Sequence, residues 1–226
     1  MIAFAATHTG LRRKGNEDSF LCQLEKGVFA VADGLGGLQY GEVASKMAVD
    51  FLGAQEFSTF DDLHALVRSL SADIYAKGME LCDSVIGTTL TLAVVADGYL
   101  RVAQVGDSVA FTVLPDGQGL QLTREQTVAD ERRRRGETNV DRYLEHVLTQ
   151  CLGQKEEVVP DVLMRDFPPL SRLLLCSDGI TKTVPKDLIL EILREGESPQ
   201  YVADFLIESA NRSGGPDNST AVVVFG

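Results

Sequence analysis

Apolar residues along the chain fall into two kinds of pattern. Short runs rich in β-branched residues and bounded by turn residues predict strands at IAFAATHT, SFLCQL, VFAVAD, TTLTLAVVAD, YLRVAQV, VLMRDF, RLLLCSD and STAVVVF, the fourth and fifth joined at Asp97-Gly98. Between them apolar positions recur at helical spacing: Val43, Met47 and Phe51 within 41–53; Leu63, Leu66, Val67, Leu70 and Ile74 within 61–80; Val202, Phe205, Leu206 and Ala210 within 199–212. Each of these stretches reads as a helix with one apolar and one polar face. Two consecutive helices followed by a hairpin break strict β-α-β alternation. That predicts antiparallel sheets with helices packed outside, a layered α+β architecture. The stretch from about Thr127 to Glu145 is polar and charge-dense, contains Gly136, Thr138 and Asn139, and reads as a mobile flap near the site.

A length of 226 residues with 44% hydrophobic composition suits a single core, since cores stop growing near roughly 250 residues. There are no repeats, no low-complexity tract and no linker rich in Pro, Gly or Ser, so one domain spanning 1–226 is expected. No apolar stretch approaches the ~20 residues a membrane helix needs, and the start lacks the basic-then-apolar order of a secretory signal. A soluble, cytoplasmic chain is expected, with a monomer as the default. Acidic residues outnumber basic ones 33 to 21, a net charge of -12, which opposes nucleic acid or an anionic membrane surface as partner. The run Arg132 to Arg135 is the exception. Flanked by Asp130, Glu131 and Glu137, it reads as a solvated helix face, with a docking patch for an acidic or phosphorylated substrate as the alternative.

The four cysteines, Cys22, Cys82, Cys151 and Cys176, stand far apart and read as free core thiols rather than a zinc or redox motif. Of the three histidines, His8, His64 and His146, none is spaced as a helical metal pair. Any metal must therefore lean on carboxylates, which favours Mg2+ or Mn2+ over zinc. Asp97-Gly98 and Asp116-Gly117 fall between strand-like halves and read as turns, whereas Asp33-Gly34 and Asp178-Gly179 end the buried-looking runs VFAVAD and LLLCSD. A carboxylate at such a strand end projects from a rigid support into a cleft, and is costly there unless something pairs with its charge. A divalent cation is one such partner, because several anionic oxygens then share a site instead of repelling one another. Further oxygens come from Glu17 and Asp18 in GNED, Asp107 in VGDS, Asp217 in GGPDNS and the peptide carbonyl of Gly34. Each aspartate taken singly reads more readily as a turn residue. Taken together they point to a divalent-metal site with hydrolytic chemistry.

The strings RRKGNED, VFAVADGLGGLQYGEVAS, IGTTL, RVAQVGDS, LTQCLG, LLLCSDGIT and GGPDNSTAVVV occur in this order. Together they resemble the metal-dependent Ser/Thr protein phosphatases of type 2C, the PPM family in its compact bacterial form, from about Thr7 to Val224. The resemblance implies a four-layer α/β/β/α sandwich with two mainly antiparallel sheets, and a site for two ions, Mn2+ or Mg2+. By the same resemblance Asp33 bridges both ions, the Gly34 carbonyl joins the second, and Asp178 and Asp217 hold the first. Glu17 and Asp18 then stand at the second ion, directly or through water. Arg13 grips the phosphoryl oxygens, as a planar and always-charged fork is suited to do, while its neighbour Arg12 reads as a solvated side chain. The implied activity is hydrolysis of phosphoserine and phosphothreonine in proteins, the products of Ser/Thr kinases, by a metal-bridging hydroxide whose pKa the ions lower.

Several positions depart from the family pattern. Leu35 stands where many eukaryotic relatives place a histidine thought to protonate the leaving group, and Val109 replaces the arginine of GDSR. The usual LTxDH stretch is Leu122-Thr123-Arg124-Glu125-Gln126 here. Lys182 occupies the place of an acid that often helps hold a third metal, which weakens the case for a third ion at Asp107 and Asp178. A phosphoprotein-binding module without turnover, and a phosphatase of small phosphoesters, remain as alternatives.

Overall fold

Continuous apolar runs fold as strands buried on both faces, the arrangement that replaces strict alternation with unbroken Val, Leu and Ala. The computed structural model describes residues 1–57 and 62–226. In chain order its elements are β1 (Ile2–His8), β2 (Asp18–Gln23), β3 (Val28–Asp33), α1 (Gly41–Gly53), α2 (Leu63–Cys82), β4 (Leu90–Ala96), β5 (Tyr99–Val105), β6 (Val109–Val113), β7 (Gly119–Gln121) and α3 (Val128–Arg134). A 3-10 turn at Arg142–His146 follows, then β8 (Asp161–Asp166), β9 (Arg172–Cys176), α4 (Asp178–Thr181), α5 (Lys186–Glu195), α6 (Pro199–Arg212) and β10 (Ser219–Phe225).

The strands form two five-stranded sheets, ordered β1-β10-β9-β6-β7 and β2-β3-β4-β5-β8. Every neighbouring pair is antiparallel. Along β3, Phe29 and Val31 face the other sheet and meet Leu173, Leu175, Val222 and Val224, while Val28, Ala30 and Ala32 face α1 and α2. On the far side, α5 and α6 bring Ile189, Leu193, Val202 and Leu206 against Leu174, Cys176, Ala221 and Val223. The result is the expected α/β/β/α stack of four layers.

Some local expectations shift. In α1 the fully buried apolar residues are Ala44, Ala48 and Leu52, while Val43, Met47 and Phe51 are only partly buried at its flank. Small side chains at 44 and 48 let the helix lie close to its sheet. In α2 the residues Leu63, Val67, Leu70 and Ile74 are buried, and the Asp62 side chain caps the helix by accepting from the backbone N–H groups of His64 and Ala65. The start expected at residue 61 lies outside the described residues. β6, β7 and α5 were not among the predicted elements, and the stretch 127–145 contains α3, capped by the Thr127 hydroxyl. Within or beside that stretch Arg132 pairs with Glu137, Arg133 with Glu145 and Arg135 with Glu131, as a solvated face would have them. All four cysteines are free, but only Cys176 is buried; Cys22, Cys82 and Cys151 are half-buried. Among the described residues no helix is long and apolar enough to cross a membrane.

Candidate active site

The two sheets end together at one rim, around a cleft of about 690 Å³ lined by Arg13, Glu17, Asp33, Gly34, Asp107, Asp178 and Asp217. The positions reach this rim because each ends or begins a strand. Asp33 closes β3, Asp178 lies just beyond β9, and Asp217 precedes β10. Asp107 occupies the tight turn from β5 to β6, where Gly106 has φ 97° and an added Cβ would stand 2.7 Å from the Thr89 side chain.

The backbone around each carboxylate is pinned. The Asp33 N–H donates to Thr89 Oγ1 at 3.0 Å, and its carbonyl accepts from the Thr89 N–H at 2.8 Å and from Thr88 Oγ1 at 2.9 Å. Thr89 Oγ1 also lies 2.8 Å from Ser108 Oγ, so the IGTTL segment ties Asp33 to the Asp107 turn. The Asn218 amide staples three chain segments: Nδ2 donates to the carbonyls of Thr9 at 2.8 Å and Gly15 at 3.0 Å, and Oδ1 accepts from the Glu17 N–H at 2.8 Å. Asp18 lies beneath the cleft, opposite Asp33 in the strand register. Its Oδ2 accepts from Ser177 Oγ at 2.7 Å and Thr220 Oγ1 at 2.6 Å.

Burial and mutual repulsion raise Asp33, Asp18 and Asp107 together. Burial first, then the charges of Asp18, Asp178, Asp107 and Asp217, push the Asp33 carboxyl well above the usual range. Burial likewise raises Asp18 to about 6, hydrogen bonds from Thr220 and Ser177 opposing it, and Asp107 to about 7, with Asp178 adding to that rise and Lys182 opposing it. Glu17 is also raised by burial, with Arg13 pulling it back. At the rim, Arg13 Nη2 donates to Asp217 Oδ2 at 2.7 Å, which raises the guanidinium against the effect of burial.

In the sequence Lys182 reads only as a missing acid. Its ammonium contacts Asp178 Oδ2, lies 3.2 Å from Asp107 Oδ2 and 3.2 Å from His146 Nδ1. Among the described residues no three acidic, His or Cys side chains already surround one point as a preformed metal cluster. Like charges in a cleft turn toward the nearest cations, here Lys182 and Arg13. The donor set still fits divalent ions: hard oxygens only, an Asp33 whose charge is opposed by four other acids, and a buried Asp18 Oδ1 with no hydrogen-bond partner.

A family model described as protein phosphatase 2C matches residues 9–217. The chain belongs to the protein phosphatase 2C family. The serine/threonine phosphatase stp of Listeria innocua is 33% identical over 244 residues, covering 99% of this chain and 95% of that protein. The serine/threonine protein phosphatase PstP of Mycobacterium tuberculosis is 36% identical over 233 residues, which take in 97% of this chain and 44% of that longer protein. A crystal structure of the catalytic domain of PstP in complex with 2 manganese ions superposes with a TM-score of 0.85 at 33% identity, covering 98% of this chain and 96% of that one.

Within this 2C-type phosphatase, sequence reasoning passed over four side chains that shape the cleft. The hydroxyls of Ser177 and Thr220 hold Asp18, Asn218 orders the loops, and His146 reaches Lys182 from the flap segment. Ser177 directly before Asp178 and Asn218 directly after Asp217 were visible neighbours of the acids, whereas nothing near His146 signals its contact.

Proposed function

We propose that this cleft hydrolyses phosphoserine and phosphothreonine monoesters in proteins, with Mn2+ or Mg2+ as cofactor. The observation that carries the reading is the convergence of Asp33, Asp178 and Asp217 at one rim with Arg13 beside them. Asp33 would serve both of two ions, Asp178 and Asp217 the first, and the Gly34 carbonyl with Glu17 and Asp18 the second, Asp18 through water. Bound there, the cations supply Lewis acidity that activates water and neutralises phosphoryl charge.

The chain's own groups do the rest. Arg13 spends one N–H on Asp217 and keeps the remainder of its fork for phosphoryl oxygens, holding the ester in line for attack as its P–O bond breaks. Asp217 and the Arg13 guanidinium thereby fix each other's orientation. Leu35 lines the cleft and has no proton to give, so protonation of the departing seryl or threonyl oxygen falls to water or to another group of the cleft. Tyr143 and His146 of the flap region, with Gln150 beyond it, form one wall of the cleft, placed to touch peptide residues around the phosphorylated one.

The rest of the reading is a single catalytic domain acting as a monomer in the cytoplasm against Ser/Thr kinases, without nucleic-acid or membrane partners. The net charge of -12 supports the exclusion of polyanions. The test compares kcat/KM on phosphopeptides and on a small aryl phosphate, with Mn2+ and with EDTA. Phosphopeptide turnover that needs Mn2+ and exceeds that on the small ester is expected. Turnover surviving EDTA rejects the metal, and preference for the small ester rejects the protein substrate.

A further inference from the structure

Position 182 lies one helical turn beyond Asp178, and its N–H donates to the Asp178 carbonyl at 2.8 Å, so its side chain stands over that carboxylate. From there Lys182 spans to Asp107, whose side chain is 6% exposed, while the lysine side chain is 21% exposed. Both carboxylates accept from its ammonium, which therefore stands between them. A charged ammonium can only donate, so His146 Nδ1 accepts from it.

We infer that Lys182 is a resident cation of the cleft, taking the place between Asp107 and Asp178 that a third divalent ion would otherwise fill, and tethering the flap region through His146. Two carboxylates on different elements, those of Asp107 and Asp178, each offer Oδ2 to one positive charge. A further cation placed there would meet that charge at contact distance. A carboxylate at position 182 would instead complete a set of oxygen ligands with Asp107 and Asp178. Lys182 is thus a positioning residue: it holds Oδ2 of each aspartate.

The inference rests on the metal reading of the cleft, and the two are separable by counting ions. Calorimetric titration and Mn2+ electron paramagnetic resonance on the full chain should give two ions for the parent and three for Lys182→Asp. Lys182→Gln, which removes the charge without adding an anionic ligand, should take the third ion about tenfold more weakly than Lys182→Asp. A parent count of three overturns the inference alone, and a parent count of zero overturns the metal reading with it. Counts of two in both variants also overturn the inference. Should Lys182→Asp not fold, the parent count and Lys182→Gln still decide the matter.

Discussion

Asp18 and Asp33 stand directly opposite each other in the antiparallel register of β2 and β3. Their carboxyls therefore share one face of the sheet at its end, where cross-strand neighbours interact most strongly. Two acids so placed repel when both are ionised. That cost is carried by the fold until a cation relieves it.

Asp33→Asn removes the carboxylate on which the four other acids act. Mn2+-dependent turnover of a phosphopeptide should fall about a thousandfold or more, while the melting temperature in EDTA at pH 8 stays level or rises. Activity within about tenfold of the parent removes Asp33 from the mechanism.

Stability without metal should fall as pH rises. The folded-state values of Asp18, about 6, and Asp107, about 7, lie above the roughly 3.9 of an unfolded aspartate. The stabilisation from keeping these groups protonated is complete below the unfolded value and is lost as pH climbs through 6 to 7. Thermal scans in EDTA should give a lower melting temperature at pH 8 than at pH 5, by about 2–4 °C per kcal/mol lost. Mn2+ should restore more at pH 8, because ions bind deprotonated carboxylates. Equal Mn2+ effects at both pH values contradict this account.

Arg13→Ala tests phosphate recognition. The pair with Asp217 is between side chains 43% and 34% exposed, so its loss should change stability by about 1 kcal/mol or less. In contrast kcat/KM on phosphopeptides should drop about a hundredfold, with Arg13→Lys recovering only part because a point charge lacks the fork. Full recovery by lysine would show that charge alone is used.

Gly179→Ala probes the contact between the two acid loops. A Cβ at 179 would stand 1.9 Å from the Asn218 carbonyl oxygen, so the Asp178 and Asp217 loops must move apart. A stability loss of about 1–3 kcal/mol is expected, together with weaker Mn2+ binding in calorimetry. An unchanged melting temperature would show the loops can part freely.

Much of this was legible in the sequence because burial on both faces writes itself as unbroken apolar runs. VFAVA and RLLLC are such runs, and the acids that follow them mark where strands stop. β6 was not legible: its five residues follow the Asp107 turn directly, so VAFTV merges with the motif ahead of it. α5 packs through Ile189, Leu190 and Leu193, yet follows Pro185 with charged residues between its apolar ones. Its period was therefore passed over. The packing face of α1 is broader than Val43, Met47 and Phe51 alone suggest: these three pack half-buried against the core, and the small Ala44 and Ala48 beside them are fully buried. Lys182 shows the deeper limit. Its substitution was visible, but its partner Asp107 lies 75 residues away, and only the fold brings them together.

The hydrocarbon layer between the sheets acts as the gauge block of the site. Phe29 and Val31 press against Leu173, Leu175 and Val222, and the ~10 Å separation of packed sheets sets how far Asp33 stands from Asp178 and Asp217. A Leu175→Ala change, wholly out of contact with substrate, would thin that layer and detune the acids above it. The spacing of the acids is thus set in oil as much as in charge.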